Sequence, residues 1–178
     1  MAKTVQEFDN YKELADYDLD PAREKELIEK QREAVFMWTN KQGEPVGVVM
    51  CYVFAKGKFW FPLAESRARV PAVRRDPRTC VCVSSSGTDM KIGKTVTYKG
   101  TTVVHRHDDP AVSWFYEAFA RRMNNTGDEA RIKEIAEVVN IPERVVLEFT
   151  PGKRIGYDGD KMAAVTPGVK GGFDQMFD

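Results

Sequence analysis

Residues 35–63 have the sequence VFMWTNKQGEPVGVVMCYVFAKGKFWFPL, and this stretch decides the fold class. Three apolar runs, rich in β-branched and aromatic residues, are typical of β-strands and cover 35–39, 45–54 and 59–63. Short turns that contain Gly43 and Gly57 separate the three runs. Because such turns are too short for a crossover connection, the stretch predicts an antiparallel meander.

Further strand and helix candidates lie on both sides of this meander. Apolar runs predict strands at 79–83, 94–107 and 144–150, the last with an extension that could reach Tyr157. Helices are predicted over 22–34, over 64–75, from Asp109-Pro110 onward, and up to about Val139. Pro71 requires the second of these helices to start late or to be irregular. Strands fill the middle of the chain, so the sequence predicts an α+β fold with a small barrel.

The sequence pattern changes twice along the chain, which suggests three parts. Residues 1–34 form a charged, helical N-terminal segment, and residues 35–158 carry the strand pattern. Residues 159–178 are rich in Gly near their end and are expected to form a C-terminal tail.

The charge balance limits the classes of partner. Lys plus Arg is 27 and Asp plus Glu is 27, so the formal net charge is zero. A neutral chain is not expected to be a general binder of nucleic acid or of acidic membranes. No apolar run is long enough for a membrane span, and the polar N-terminus does not resemble a secretory signal, so we expect a cytoplasmic protein.

A local excess of positive charge stands out against this neutral background. Residues 65–78 have the sequence ESRARVPAVRRDPR, with five arginines between Arg67 and Arg78. Arg67 and Arg69 fall at the predicted start of a short helix, and guanidinium groups bind phosphate through two parallel hydrogen bonds. The pattern predicts a phosphate pocket, with a solvated basic helix as the alternative. We expect Arg74, Arg75 and Arg78 to face solvent or to pair with acids.

Two patterns could in principle carry metal chemistry. His105 and His107 would share one face of a strand and precede Asp108 and Asp109, and Cys80 and Cys82 have the same spacing. Neither pattern is joined by a further ligand set at a useful spacing. We therefore predict no metal site, a polar strand end at the histidines, and small buried side chains at the cysteines.

The order of these elements resembles a known family. Three strands separated by glycine turns, followed by Ser-Arg-Ala-Arg and then Arg-Arg-Asp-Pro-Arg, look like the pyridoxamine 5'-phosphate oxidase-like FMN-binding split barrels, in particular their F420-dependent reductase branch. The resemblance covers roughly residues 33–158. It implies a six-stranded antiparallel split β-barrel with flanking helices, and a homodimer with a cofactor groove at the subunit interface.

The same resemblance implies a set of cofactor-binding residues. Arg67 and Arg69, on either side of Ala68, would hold the cofactor phosphate. Backbone support would come from Phe61, Pro62 and Leu63, and the next long strand would reach the cofactor through Lys94 and Thr95. For Lys94, a solvated lysine at a strand end is the alternative.

The resemblance also implies an oxidoreductase that transfers hydride to an electron-poor small molecule. The sequence Ser-Arg-Ala-Arg at residues 66–69 favours coenzyme F420 over FMN, because FMN-binding relatives more often have Ser-Arg-Lys-Ala. An FMN-binding oxidoreductase and a non-catalytic cofactor-binding protein of the same fold are the alternatives. No catalytic side chain is assigned. Candidates for an apolar wall beside the cofactor, for which ordinary core packing is the favoured explanation, are Trp38, Met50, Tyr52, Trp60 and Trp114.

Overall fold

The structure is a computed structural model that describes residues 14–91, 93–124 and 127–166. Its strands are β1 (Glu33–Thr39), β2 (Pro45–Cys51), β3 (Val53–Ala55), β4 (Lys58–Ala64), β5 (Arg78–Ser84), β6 (Lys94–Arg106) and β7 (Arg144–Asp158). Its α-helices are α1 (Pro21–Lys30), α2 (Arg69–Arg75), α3 (Phe115–Met123), α4 (Glu129–Val139) and α5 (Gly159–Val165). Single 3-10 turns cover Leu14–Tyr17 and Pro110–Val112. The predicted α+β class is confirmed.

The strands form one seven-stranded sheet in the order β2-β1-β5-β6-β7-β4-β3. Six strands were expected, and the difference arises because the run 45–54 is divided at Tyr52. Its first part pairs antiparallel with β1, and its second part pairs antiparallel with β4. The first and last strands of the order are thus separated in the chain by one buried residue, as expected for a sheet that closes into a barrel.

The two predicted turns are present and account for both hairpins. Gly43 has φ +82° and Gly57 has φ +71°, a backbone conformation that glycine adopts without steric cost. Each turn joins strands that pair antiparallel, β1 with β2 and β3 with β4. The predicted meander is therefore confirmed, apart from the break at Tyr52.

The helices differ from the sequence-based expectation mainly at their ends. The first was predicted to run to residue 34, but it ends at Lys30, because Glu33 and Ala34 pair with β2. The second begins only at Arg69, which places Pro71 in its first turn as required. The third is interrupted: Asp109 caps the short 3-10 turn, and α3 starts at Phe115.

The chain divides into two compact units. The first comprises Met1–Gln31, Cys82–Thr97 and Arg154–Asp178. Within it, Arg154 binds both carboxylate oxygens of Asp18, at 2.8 and 2.6 Å, and also contacts Glu24. The predicted division into 1–34, 35–158 and 159–178 stays a prediction, and residues 1–13 and 167–178 lie outside the described residues.

The second unit comprises Arg32–Val81 and Tyr98–Lys153. Its core holds a cluster of buried aromatic rings, contributed by Phe36, Tyr52, Phe59, Phe61 and Phe149. Phe59 and Phe61 stack, and the other contacts are edge to face or tilted. A further apolar cluster joins α3 and α4 to the strands through Trp60, Phe115, Tyr116, Ile132 and Val146. Among the described residues, no helix combines the length and the apolarity needed to cross a membrane.

Candidate functional site

The segment between β4 and α2 positions the two predicted phosphate-binding arginines. β4 ends at Ala64, whose carbonyl accepts a hydrogen bond from the Arg67 backbone N–H at 3.1 Å. Val70 N–H then donates to Arg67 O at 2.9 Å, and the α-helix starts at Arg69. Arg67 was predicted to lie at the helix start, but it precedes the helix. The case for an anion here therefore depends on the two guanidinium groups.

The five arginines of this segment divide into two classes. Arg74 pairs with Glu65 at 2.7 Å and Arg78 pairs with Asp76 at 2.7 Å, while Arg75 donates to the backbone carbonyl of Thr39 at 2.9 Å. All three are exposed, as expected. Arg67 and Arg69 have no carboxylate partner in the part of the chain that the structure describes. Arg75 also has no ion-pair carboxylate there, but unlike Arg67 and Arg69 it donates to a backbone carbonyl.

Arg69 carries the clearest sign of a missing ligand. Its Nε is buried and makes no hydrogen bond within the described ranges. A buried donor without an acceptor costs about 1–3 kcal/mol, and an anionic oxygen would remove this cost. Burial, and next the charge of Arg67, lower the pKa of Arg69 from its usual value. A phosphate would offset both effects, so the residues present fit the cofactor phosphate that the sequence predicts.

The three β4 residues predicted to support the phosphate lie in the barrel wall. Phe61 and Leu63 are buried, Pro62 is half-buried, and all three pair in register with β7. Their side chains therefore serve the core, and the predicted backbone contact to a cofactor stays a prediction. Ala68 is exposed, and its part in cofactor binding also stays a prediction.

Lys94 and Thr95 lie in the first unit, at the start of β6. The Lys94 side chain is 0% exposed, and its ammonium group pairs with Asp160 of α5 at 2.7 Å. Its backbone N–H donates to the Ser85 hydroxyl at 3.1 Å. The interpretation of Lys94 as a solvated strand-end lysine is therefore wrong. Thr95 is half-buried, and the role of both residues toward a cofactor stays a prediction.

Four of the five candidates for an apolar wall are buried side chains. Tyr52 lies among the core aromatics, and Trp60 packs in the cluster with α3, where it meets Trp114 edge to face at 5.2 Å. Core packing accounts for these positions. Trp38 is different, because the Arg69 guanidinium carbon lies 6.0 Å from the centre of its ring. The sequence contained no sign of this contact.

A half-buried polar cluster around His105 has a geometry that the sequence did not reveal. Its Nδ1 lies 2.9 Å from Asp109 Oδ2 and its Nε2 lies 2.7 Å from Glu148 Oε2, and Lys58 also binds Glu148. Burial raises the pKa of Glu148, but the hydrogen bonds and the charges of Lys58 and His105 together lower it below its usual value.

The two patterns considered for metal chemistry have other surroundings in the structure. His107 follows the end of β6, and its Nδ1 approaches Asn140 Oδ1 at 3.4 Å. Cys80 and Cys82 have free thiols and are half-buried, where small buried side chains were expected. Within the described ranges, no three His, Cys, Asp or Glu side chains are placed to hold one metal ion.

One known protein family matches most of the chain. It is the family described as pyridoxamine 5'-phosphate oxidase, and the match covers residues 21–156. No curated protein matches the chain.

Solved structures share the fold at low sequence identity. The conserved hypothetical protein Rv2991 from Mycobacterium tuberculosis is 18% identical with a TM-score of 0.71, over 88% of this chain and 96% of that one. A protein described as an F420 reductase is 12% identical with a TM-score of 0.55, over 74% of this chain and 94% of that one. An FAD-binding protein from Mesorhizobium loti is 15% identical with a TM-score of 0.54, over 78% of this chain and 94% of that one.

Proposed function

This chain belongs to the pyridoxamine 5'-phosphate oxidase family, and on that premise we propose that it is an oxidoreductase that uses coenzyme F420. Its substrate would be an electron-poor small molecule that accepts hydride. The observation that carries the proposal is the lack of acid partners for the side chains of Arg67 and Arg69 in the described part of the chain. Both lack a carboxylate partner within the described residues, and Arg69 has a buried Nε without an acceptor.

The choice of F420 over a flavin depends on two further points. The segment around Arg67 has Ser-Arg-Ala-Arg where FMN-binding relatives more often have Ser-Arg-Lys-Ala. A structure described as an F420 reductase also shares this fold. A flavin is the second candidate, favoured by the FAD-binding protein of the same fold.

A bound deazaflavin or flavin would itself supply the hydride chemistry. The chain's own residues would bind and orient the cofactor. Arg67 and Arg69 would hold its phosphate, and Trp38 would keep the Arg69 side chain in place through its ring. Trp38 is nearly buried and would also exclude water from the phosphate. With the cofactor supplying the chemistry and the protein binding it, no acidic or basic side chain is needed for the reaction.

The proposal is tested by titration and then by turnover. Purified protein is titrated with F420 and with FMN while the fluorescence of the cofactor is followed. We expect saturable binding of both and tighter binding of F420. Tighter binding of FMN would overturn the choice of cofactor, and failure of both to bind would overturn the function.

The turnover experiment separates an enzyme from a carrier. Reduced F420 is mixed with protein and with quinone or nitroaromatic acceptors, and its reoxidation is followed by absorbance. We expect reoxidation faster than in the absence of protein. Tight binding without any acceleration, across both classes of acceptor, would instead favour a non-catalytic cofactor-binding protein.

We also propose that the chain forms a homodimer. The outward face of the β1–β2 hairpin supports this, because Val49 is 63% exposed and lies opposite Val35 in the register, next to Met37. An apolar face of this kind is typical of a subunit contact. Light scattering of the wild type and of Val49→Lys tests this proposal. We expect the wild type to be a dimer and Val49→Lys to dissociate more readily. A monomeric wild type would contradict the proposal.

A further inference from the structure

His105, near the end of β6, connects two other parts of the second unit. Its Nδ1 lies 2.9 Å from Asp109 Oδ2, in the turn that follows the strand, and its Nε2 lies 2.7 Å from Glu148 Oε2 on β7. Lys58 of β4 binds the other carboxylate oxygen of Glu148. The ring therefore lies between two carboxylates, of which Glu148 is 13% exposed and Asp109 is 37% exposed.

The neighbouring charged groups at this end of β6 have partners of their own. Arg106 Nε donates to Asp108 Oδ1 at 3.1 Å, and both side chains are exposed. His107 Nδ1 approaches Asn140 Oδ1 at 3.4 Å. A lysine ammonium group is charged throughout the neutral range, so the bond between Lys58 and Glu148 does not respond to pH there. What decides the two contacts of the ring is the charge of the ring and of its two carboxylates.

Among these groups, histidine is the residue type that titrates near neutral pH. The pKa of Asp109 is lowered, first by its hydrogen bond with His105 and then by the bond from the Ala111 N–H. The pKa of Glu148 also lies below its usual value. Both carboxyl groups are therefore ionised at neutral pH, whereas histidine side chains change charge between about pH 5 and 8.

Loss of a proton from the ring removes one of its two contacts. An imidazolium has two N–H donors and a neutral imidazole has one, so in the neutral form one ring nitrogen faces a carboxylate oxygen as a second acceptor. Water has little access to Glu148 and could not replace a lost donor there, whereas it reaches Asp109. The contact between His105 and Asp109 is therefore the one that deprotonation opens.

Asp109 is also the residue that begins the helical part of the chain after β6. Its Oδ1 accepts a hydrogen bond from the Ala111 N–H at 2.8 Å and caps the 3-10 turn. The Ala111 carbonyl accepts a bond from Trp114 Nε1 at 3.0 Å, and α3 starts at the next residue. Trp114 lines a cavity of about 560 Å³ between α3 and β3. The position of Asp109 is thus connected to the start of α3 and to the wall of this cavity.

We propose that His105 is a pH-sensitive latch that holds the turn before α3 against β6 and β7. While the ring is protonated, it binds both carboxylates and the turn is fixed. When the ring releases its proton to solvent, the contact with Asp109 opens, and the turn, Trp114 and the first turn of α3 gain freedom to move. The wall of the cavity between α3 and β3 therefore responds to pH, independently of the cofactor proposed for Arg67 and Arg69.

Hydrogen exchange measures the latch in the full chain. Backbone exchange is followed by mass spectrometry at about pH 6 and at about pH 8.5, on either side of the change in charge, and is corrected for the intrinsic effect of pH on the exchange rate. We expect the protection of α3 to fall about fivefold at the higher pH. The hairpin of β1 and β2, which is distant in sequence from the latch, is the internal reference and should keep its protection.

Two histidine variants identify the titrating group. His105→Gln has no titrating ring, so α3 should have the same low protection at both pH values. His107→Gln removes the other of the two histidines in the chain and is the matched control, which should keep the wild-type response. A third variant, Asp109→Asn, keeps an oxygen that can cap the Ala111 N–H but removes the carboxylate that the ring binds. It should also lower the protection of α3 at both pH values.

The outcomes decide between the latch and its absence. Equal protection of α3 at the two pH values in the wild type would overturn the latch. A wild-type response that persists in His105→Gln would also overturn it, because another group would then be titrating. If His105→Gln does not fold, Asp109→Asn decides: a response like that of the wild type overturns the latch, and loss of the response supports it.

Discussion

The guanidinium carbon of Arg69 lies 6.0 Å from the centre of the Trp38 ring, so the first residue of α2 contacts a side chain of β1. A cation over an aromatic face is stabilised by about 0.5–2 kcal/mol, depending on how much water is excluded. Trp38 is nearly buried and also packs against Phe36 at 6.2 Å. The ring is thus held by the core, and the Arg69 guanidinium lies at the outer limit of a cation–π contact with it.

Replacing Trp38 therefore affects cofactor binding through Arg69. We expect Trp38→Leu to weaken F420 affinity about fivefold, because the guanidinium loses its aromatic support, and Trp38→Phe to stay within about twofold. Fluorescence titration measures both. The matched control is Trp60→Leu, another buried tryptophan, which packs with α3. If Trp60→Leu weakened binding as much as Trp38→Leu, the effect would be one of general stability.

The cluster around His105 gives a pH dependence of stability. The pKa of Glu148 and that of Asp109 are both lowered in the folded state, and one ring nitrogen of His105 lies within hydrogen-bond distance of each carboxylate. A lowered carboxyl pKa contributes stability above the unfolded pKa, and this contribution is lost as the pH falls through the folded pKa. The loss should therefore occur on the acid side, below about pH 4.5.

Glu148→Gln tests this directly. We expect the variant to lose about 2 kcal/mol of unfolding free energy at pH 7, because Glu148 is largely buried and hydrogen-bonded. The difference from the wild type should shrink as the pH falls below about 4. Urea unfolding at several pH values measures it, with the exposed Glu134→Gln as control. A difference that grew toward low pH would contradict the assignment.

A buried hydroxyl pair joins β5 to β6. Thr79 Oγ1 and Thr102 Oγ1 lie 2.6 Å apart and both side chains are buried. Thr79→Val leaves a buried hydroxyl without this partner, so we expect a loss of about 1–2 kcal/mol in unfolding free energy. The double variant Thr79→Val/Thr102→Val should be closer to the wild type than the sum of the two single losses. Strict additivity in urea unfolding would show that the bond contributes nothing.

Replacing the two partners of the ion pair between Lys94 and Asp160 should destabilise the protein unequally. Asp160→Asn removes the carboxylate that pairs with the buried Lys94 ammonium group, and we expect a loss of about 2 kcal/mol, reduced because Asp160 is half exposed. Lys94→Met replaces the ammonium by an apolar group of similar length and should cost less than about 1 kcal/mol. Thermal and urea unfolding compare the two. A larger loss for Lys94→Met would mean that the ammonium itself is required.

The features that the sequence predicted are those with a local cause. The hairpin turns depend on glycines with positive φ, and Gly43 and Gly57 are visible in the sequence. Tyr52 breaks a strand without any local signal, because its two sides pair with different partners, β1 and β4. The count of six strands was wrong for this reason.

In the candidate site, too, the features with a local cause were predictable and those that depend on distant residues were not. Arg67 and Arg69 could be separated from Arg74, Arg75 and Arg78 by their distance from the preceding strand, and the acid partners of Arg74 and Arg78 lie close in the chain. The support of Arg69 by Trp38 and the burial of Lys94 beside Asp160 depend on residues distant in sequence. No spacing rule could have predicted either contact.

The central claim is that Arg67 and Arg69 hold a cofactor phosphate, and one titration tests it most directly. F420 affinity is measured for Arg67→Ala/Arg69→Ala and for the control Arg74→Ala/Arg78→Ala, which removes the same charge from the same segment. We predict a loss of about a hundredfold in the first variant and less than about twofold in the second, with both still folded by circular dichroism. Equal affinities in the two double variants would contradict the claim.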